Sequence, residues 1–245
     1  MITIKTDKEL NLMREPCKIL RDALLLAKER VSAGMTTKEL DKILHDYIVS
    51  YGAKPSFLGL YGFPGSACIS INEEVVHGRP SSRVIKDGDI VSVDLGVYLN
   101  GFHGDAARTF CVGKIDPIKK RLVEVTEKSF FKGIEGICIG SALGDIGSQI
   151  QTYVESEGFS VVRDMVGHGI GKAVHEDPEV PNYGRRGTGI RLRRNMTLAI
   201  EPMVNAGTYQ VDIDGWDCIT RDKQPSAHYE NTVVITDNGV EILTL

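Results

Sequence analysis

Four acidic residues stand where apolar strands are expected, and each needs a chemical partner there. Asp94 interrupts IVSVDLG, Asp105 follows the turn NGFHG, Glu201 ends LAIE and Glu230 opens ENTVVIT. A carboxylate buried alone is costly, so each must be protonated, paired with a cation or bound to a metal. Asp94 and Asp105 would lie on adjacent strands of one hairpin with their side chains on one face. With the two glutamates and one imidazole, they could hold two water-bridged divalent ions about 3.5–4 Å apart.

A simpler explanation of the four acids stays open at this point. Each could accept hydrogen bonds from turn amides, or pair with Arg108 or Arg221. One carboxylate at a strand end is well explained in this way, whereas four of them favour a common explanation.

Histidines in the glycine-rich stretch MVGHGIGKAVHEDPEV, residues 165–180, could supply the nitrogen ligand. His168 lies between two glycines directly after the apolar stretch FSVVRDMV, so we predict a strand that ends there and a ligand side chain that projects into a cleft. His175 lies one short turn further and would face a substrate. GHGIG is not a phosphate loop, because it lacks the GxGxxG spacing and the Lys-Ser/Thr pair.

The remaining histidines support weaker inferences. A lone histidine is more often a structural residue than a ligand, so we assign no function to His45 or His228. His103 is a candidate for the rim of the cleft.

Composition limits the classes of protein to consider. The chain has 245 residues, is 42% hydrophobic and 25% charged, and carries a formal net charge of -4. It can bury a large core and offers no basic face, so we expect no nucleic-acid partner. No apolar stretch approaches a signal core or the roughly 20 residues of a membrane span, so we expect a cytoplasmic protein. The five cysteines are scattered and include no C-x-x-C pair, so any metal should have nitrogen and oxygen ligands.

Periodicity predicts helices followed by strands, twice along the chain. Capping boxes at Thr6 and Thr36 start two helices, the first with a kink at Pro16, and Asp116 caps a third that ends near Gly136. A fourth helix is closed by Gly158. The predicted strands are ACISINEEVVHG, DIVSVDLGVYL, GFHGDAARTFCV, FSVVRDMVG, MTLAIEPMV and YENTVVIT.

A short internal repeat matches this doubling. Placing Asp94 on Glu201 aligns IKDGDIVSVDL with LRRNMTLAIEP, and a separate register places His77 on His175. We therefore predict one domain over residues 1–245, built from related halves at about 1–115 and 116–245. The halves would face each other across a shared cleft.

Six blocks in order resemble one known family. They are INEEVVHGRP, VSVDLG, GFHGDAARTF, VGHGIGKAVHEDPEVPNYG, MTLAIEPM and HYENTVVIT, and they look like the motifs of type I methionine aminopeptidase, in the short bacterial form without an N-terminal extension. The resemblance implies an α/β (α+β) pita-bread fold, in which two pseudo-symmetric halves form a curved antiparallel sheet flanked by helices. It also implies a dinuclear metal site with five ligands, namely Asp94, Asp105, His168, Glu201 and Glu230, of which Asp105 and Glu230 bridge the ions.

The resemblance also implies catalytic roles. His77 and His175 would contact the substrate amine and the scissile carbonyl, and Glu201 would accept a proton from the attacking water while remaining a ligand. The two ions could be cobalt, manganese, iron(II) or zinc. We expect a cytoplasmic monomer that acts on N-terminal methionine peptides and on nascent chains near the ribosome, with no specific nucleic acid and no membrane as partner.

A pocket for the methionine side chain is implied as well. Its walls would be Phe57, Leu60, Phe63, Cys68, Val174 and Trp216, although ordinary core packing would also explain these residue types. Two positions depart from the family pattern. Leu60 stands where a tyrosine is common, and Asn231 replaces the histidine of Glu-His-Thr, on the strand face opposite Glu230.

Two alternatives were weighed against this prediction. An X-Pro dipeptidase or aminopeptidase P would share the five ligands, but such enzymes usually carry a sizeable N-terminal domain. A non-catalytic peptide-binding module predicts missing ligands, whereas all five residues are present. Composition alone also permits a dinuclear phosphatase.

Overall fold

This computed structural model describes residues 2–245. Within them, two α-helices are followed by five strands, and two further α-helices are followed by ten strands. The helices are α1 (Asp7–Arg30), α2 (Thr37–Ser50), α3 (Pro117–Ile134) and α4 (Leu143–Ser156). The strands of the first part are β1 (Lys54–Pro55), β2 (Ala67–Ile71), β3 (Glu74–Val76), β4 (Ile90–Leu99) and β5 (Phe102–Cys111). The later strands are β6 (Ser160–Val161), β7 (Gly167–Gly169), β8 (Glu176–Val180), β9 (Thr197–Ile200), β10 (Met203–Asn205), β11 (Val211–Asp214), β12 (Asp217–Thr220), β13 (Ser226–His228), β14 (Asn231–Thr236) and β15 (Gly239–Ile242).

The helices begin where the sequence places their caps. Thr6 and Thr36 each accept a hydrogen bond from the backbone N–H of a glutamate three residues on, and that glutamate bonds back, so both capping boxes are confirmed. The side chain of Asp116 caps α3. Pro16 lies inside α1 without ending it.

Strands β4 and β5 form a long hairpin that positions the first two acids. Its two-residue turn is Asn100–Gly101, with φ of 55° and 85°, the left-handed backbone that a type I′ turn requires. In the register, Asp94 pairs with Ala107 and Gly96 pairs with Asp105. The two acids therefore share one face of the hairpin, as their positions in the sequence indicate.

Three stretches predicted as single strands are each divided between sheets. ACISINEEVVHG contains β2 and β3, which belong to different sheets. FSVVRDMVG contains β6 and the first residue of β7, separated by an exposed bend at Arg163 and Asp164, so His168 lies inside β7 and not after a strand. MTLAIEPMV contains β9 and β10, which pair with different neighbours. Pro202 lies at that break, where it has no N–H for a ladder hydrogen bond.

Each pair of helices covers its own core cluster. Helices α1 and α2 pack on β2, β4 and β5 through residues such as Leu20, Leu44 and Leu95, whereas α3 and α4 pack with β9 and β14 through residues such as Ile146 and Leu198. Every strand pair is antiparallel. This layout agrees with two halves in one domain, and the division near residue 115 stays a prediction.

The helices give no sign of a membrane span. Within residues 2–245, none is both long and apolar enough to cross a bilayer.

Candidate metal centre

A pairing between β5 and the segment that leads into β14 joins distant parts of the chain. Ala107 and Glu230 exchange backbone hydrogen bonds of 3.3 and 3.0 Å. On one side of this pair, Thr232 Oγ1 accepts from the N–H of Asp105 at 2.9 Å and donates to its carbonyl at 2.8 Å. On the other side, Thr109 Oγ1 bonds the N–H and the carbonyl of His228 at 2.9 and 2.8 Å. We call this pairing, residues 105–109 against 228–232, the threonine seam.

The threonine seam brings predicted ligands together. Ligand atoms of Asp105, His168 and Glu230 all lie within 4.8 Å of one another. Nε2 of His168 is 3.9 Å from Asp105 Oδ2 and 3.6 Å from Glu201 Oε1. Asp94 lies on the shared face of the β4–β5 hairpin, and all five side chains line one cavity of about 520 Å³.

Burial dominates the electrostatics of the four carboxyls. It raises the pKa of Asp94 to about 7, and it raises the pKa of Asp105, Glu201 and Glu230 well above the usual range. Mutual repulsion between the acids adds to the rise for the last three. The metal-free cluster therefore retains protons that exposed carboxyls would have lost.

No arginine or lysine within residues 2–245 forms an ion pair with these four acids. Arg108 donates to the backbone carbonyls of Ala107 and Glu230, and Arg221 pairs with Asp212. Pairing with these two arginines therefore does not account for the four acids, although the effect of burial, which raises the pKa of Glu230, is partly offset by the charge of nearby Arg108.

The donor set fits divalent ions. Oδ1 of Asp94 and Oδ1 of Asp105 are buried and have no hydrogen-bond partner, although buried carboxylate oxygens are normally paired. Nδ1 of His168 donates to the carbonyl of Gly169 at 2.9 Å, which leaves Nε2 facing the acids. Burial, together with nearby His175, lowers the pKa of His168 to about 4, so its imidazole is neutral, the form that binds metals. Carboxylates and one imidazole suit manganese, iron(II) or cobalt.

His77 and His175 lie at the edge of this cluster. His77 follows β3 with φ of 61°, a strained conformation for a residue with a side chain, and its ring meets Trp216 edge-on at 6.0 Å. The exposed His175 ring meets His168 edge-on at 4.5 Å. Burial lowers the pKa of both, and the proximity of His175 lowers that of His77 further. Both rings are therefore largely neutral at pH 7.

The six residues predicted for the methionine pocket form one apolar cluster beside the acids. Phe57, Phe63, Cys68 and Val174 are its buried members, and Leu60 and Trp216 pack against them. The rings of Phe63 and Trp216 meet edge-on at 5.2 Å. Cys68 pairs with Asp94 across β2 and β4, so this cluster adjoins the carboxylates. Burial raises the pKa of the Cys68 thiol well above its usual value, which keeps it protonated.

Sequence reasoning missed two residues of this region. Tyr61, with φ of 50°, stacks on the ring of His175 at 5.9 Å. His228 is buried, and its Nε2 is 3.7 Å from Glu201 Oε2. Its place two residues before Glu230 was the available signal, because alternate residues of an extended segment share a face.

The two remaining histidines bond serine hydroxyls. Nδ1 of His103 is 2.9 Å from Ser56 Oγ. Burial lowers the pKa of His103 to about 4, and Glu176 and His175, which line the cavity, also act on it. The assignment of His103 to the rim of the cavity stays a prediction. Nδ1 of His45 is 2.8 Å from Ser66 Oγ, which fits a structural residue.

Comparison with known proteins identifies the family. Residues 11–237 match metallopeptidase family M24. A methionine aminopeptidase of Clostridium perfringens is 59% identical, and the alignment covers 100% of this chain and 99% of the relative. The chain belongs to the methionine aminopeptidases of metallopeptidase family M24.

Further relatives of the methionine aminopeptidase family agree over the whole chain. Methionine aminopeptidase 1 of Bacillus subtilis is 51% identical, covering 100% of this chain and 99% of the relative. The crystal structure of a methionine aminopeptidase from Rickettsia prowazekii is 44% identical, covers 100% of both chains and superposes with a TM-score of 0.98. The predicted pita-bread fold and the predicted class, a metal-dependent aminopeptidase, are thereby confirmed. The match favours methionine aminopeptidase over the X-Pro and non-catalytic alternatives.

Proposed function

We propose that this chain removes the N-terminal methionine from peptides and nascent proteins whose second residue is small. The observation that carries the proposal is the convergence of Asp105, His168 and Glu230, with ligand atoms within 4.8 Å, beside an apolar pocket. A relative named methionine aminopeptidase at 59% identity supports it. An exopeptidase binds the free amine of its substrate, and the acidic and imidazole groups that line this cavity suit such an amine.

Asp94, Asp105, His168, Glu201 and Glu230 would hold two divalent ions. When bound, such ions supply Lewis acidity and lower the pKa of a water molecule toward neutrality. The donor set allows cobalt, manganese, iron(II) or zinc.

The protein side chains would orient the substrate and move the proton. Glu201 accepts a proton from the attacking water through a carboxylate oxygen. His175, at the exposed mouth of the cavity, donates a hydrogen bond to the carbonyl oxygen as negative charge develops there. His77 contacts the substrate near its amine, held by a backbone that has little freedom to relax.

The apolar cluster would bind the methionine side chain. An unbranched thioether suits a wall of aromatic and aliphatic groups, because sulfur packs against ring edges and its torsions adapt to an irregular surface. Such a pocket discriminates a single methylene by only about 1–3 kcal/mol. We therefore expect norleucine to be disfavoured modestly, and branched or charged residues much more strongly.

The setting we propose is a cytoplasmic monomer that meets its substrates near the ribosome. The net charge of -4 gives no indication of a basic surface. None of the described helices could span a membrane.

A comparison of peptides tests the function. Metal-free protein reconstituted with Mn²⁺ or Co²⁺ should cleave Met-Ala-Ser and leave Leu-Ala-Ser and Met-Lys-Ser nearly intact, measured as kcat/KM. Equal kcat/KM for N-terminal methionine, leucine and lysine would refute the methionine assignment but not a metallopeptidase. Full activity after verified removal of all metal would refute both.

A further inference from the structure

His228, the last residue of β13, is a buried histidine without hydrogen bonds from its ring. It is 1% exposed, and neither Nδ1 nor Nε2 has a partner among residues 2–245. A buried polar group without a partner destabilises the folded protein. An apolar side chain would avoid that cost, so the imidazole calls for an explanation.

The backbone of His228 is held from two sides. In the threonine seam, its N–H donates to Thr109 Oγ1 and its carbonyl accepts from the same hydroxyl. On the other side, His228 pairs with Met203 of strand β10. Because this backbone is fixed, the imidazole of His228 stays close to the side chains that surround it.

Those neighbours are two of the proposed ligands. Nε2 of His228 is 3.7 Å from Glu201 Oε2 and 4.0 Å from Glu230 Oε2. The other oxygen of Glu201, Oε1, is 3.6 Å from Nε2 of His168. The carboxylate of Glu201 thus lies between two imidazoles, one a proposed ligand and the other with no assigned role.

We propose that His228 is a positioning residue for the metal centre, whose Nε2–H donates a hydrogen bond to Glu201 Oε2 and holds that carboxylate in its ligand orientation. The inference rests on the proposed role of Glu201 as a ligand. The present separation of 3.7 Å exceeds a hydrogen bond by less than an ångström, so a small rotation of either side chain completes the contact. Residues that orient metal ligands in this way typically change metal affinity 10–100-fold when they are replaced.

Three substitutions separate a hydrogen-bond donor from a space-filling ring. His228→Gln keeps a nitrogen at the reach of Nε2, whereas His228→Asn keeps a polar amide that reaches only as far as Nδ1. His228→Leu removes the donor and fills the space. Mn²⁺ titration of the metal-free proteins by calorimetry measures affinity and stoichiometry, and thermal melting of the same metal-free samples verifies folding.

We expect His228→Gln to bind Mn²⁺ within about threefold of the parent protein, and His228→Asn and His228→Leu to bind about 10–100-fold more weakly. The stoichiometry should be unchanged in all three. If folded Asn and Leu variants bind Mn²⁺ like the parent protein, the positioning role is wrong. If all three lose one equivalent of Mn²⁺, His228 is a ligand itself and the proposal is also wrong. A parent protein that binds none of Mn²⁺, Co²⁺, Fe²⁺ and Zn²⁺ would instead refute the proposed function. If His228→Leu does not fold, the comparison of Gln with Asn decides.

Discussion

At the scale of single residues, the metal centre conflicts with ordinary burial rules. Four buried carboxyls share a cavity with no cationic side chain, and two of their oxygens lack any partner among the described residues. The same conflict is visible in the sequence, where acids interrupt apolar strands. The sequence alone therefore predicts the four carboxylates as metal ligands.

Ligand and catalytic histidines should respond differently to substitution. His168→Ala removes the imidazole that faces Asp105 and Glu201, so we expect loss of bound metal and of activity. His175→Ala should retain its metal and lose roughly 10²-fold in kcat, the effect of losing an oxyanion donor. Metal content by elemental analysis, with kcat on Met-Ala-Ser, separates the two. A loss below about threefold in kcat/KM for His175→Ala would contradict its role.

Asn231 should contribute to stability and not to metal binding. Its Oδ1 accepts from Arg108 Nη2 at 2.7 Å and from Thr244 Oγ1 at 2.9 Å, so the side chain faces away from the acids. Asn231→Leu leaves the Thr244 hydroxyl without its acceptor and leaves Arg108 Nη2 with only the carbonyl of Thr244, so we expect a loss of about 1–3 kcal/mol in the free energy of unfolding, measured in urea. Mn²⁺ affinity should be unchanged, and a tenfold change would show that this side chain influences the ligands.

Sequence reasoning failed where contacts depend on three-dimensional packing. The spacing of His228 from Glu230 indicates a shared face, but it does not indicate that Thr109 fixes the backbone of His228 beside Glu201. Residue types and spacing reveal the chemistry of a side chain, but they do not determine which neighbours a distant strand supplies.

At the scale of elements, local sequence predicts the helix caps and the β4–β5 hairpin correctly, but it does not predict where a stretch changes sheet. The capping boxes at Thr6 and Thr36 depend on local hydrogen bonds that a short sequence specifies. A change of sheet, as between β9 and β10 at Pro202, depends on which strands lie alongside. Alternating apolar residues continue across such a break, so periodicity alone joins two strands into one.

The threonine seam offers a test at this scale. Thr232→Val keeps the shape of the side chain but leaves the N–H and carbonyl of Asp105 without their partner. We expect a loss of about 1–3 kcal/mol in the free energy of unfolding, together with weaker Mn²⁺ binding because the backbone of Asp105 is released. Thr152→Val is the matched control, since that hydroxyl is exposed and bonds only the preceding turn of α4. Equal effects of the two substitutions would show that the seam does not hold the site.

At the scale of the whole molecule, the buried acids should make stability depend on pH and metal together. Burial raises the pKa of Asp94 to about 7 in the folded protein, whereas in the unfolded chain this group ionises near its ordinary pKa of 3.8. Between pH 6.5 and 8 the folded state binds more protons than the unfolded state, so the stability of metal-free protein falls as pH rises. The pKa values of His77, His168 and His175 are lowered in the folded protein. At pH values above their unfolded pKa these histidines are neutral in both states, so they add little to the pH dependence of stability.

Metal ions bind the ionised carboxylates and should reverse this trend. We expect the increase in Tm on adding Mn²⁺ to be larger at pH 8 than at pH 6.5, measured by calorimetry against chelator-treated protein. Asp94→Asn should flatten the pH dependence of the metal-free Tm. An increase in Tm that is larger at pH 6.5 would contradict the assignment of these acids as ligands.

The distribution of the ligands along the chain has a consequence for severed protein. Asp94 and Asp105 precede the exposed turn near residue 115, while His168, Glu201 and Glu230 follow it. The threonine seam joins these two parts of the chain by hydrogen bonds, without a covalent link. Fragments 1–115 and 116–245, produced separately, should each be inactive and regain peptidase activity on mixing. In dilute mixtures activity should rise with the product of the two fragment concentrations, so the catalytic centre would report the encounter of two independent polypeptides.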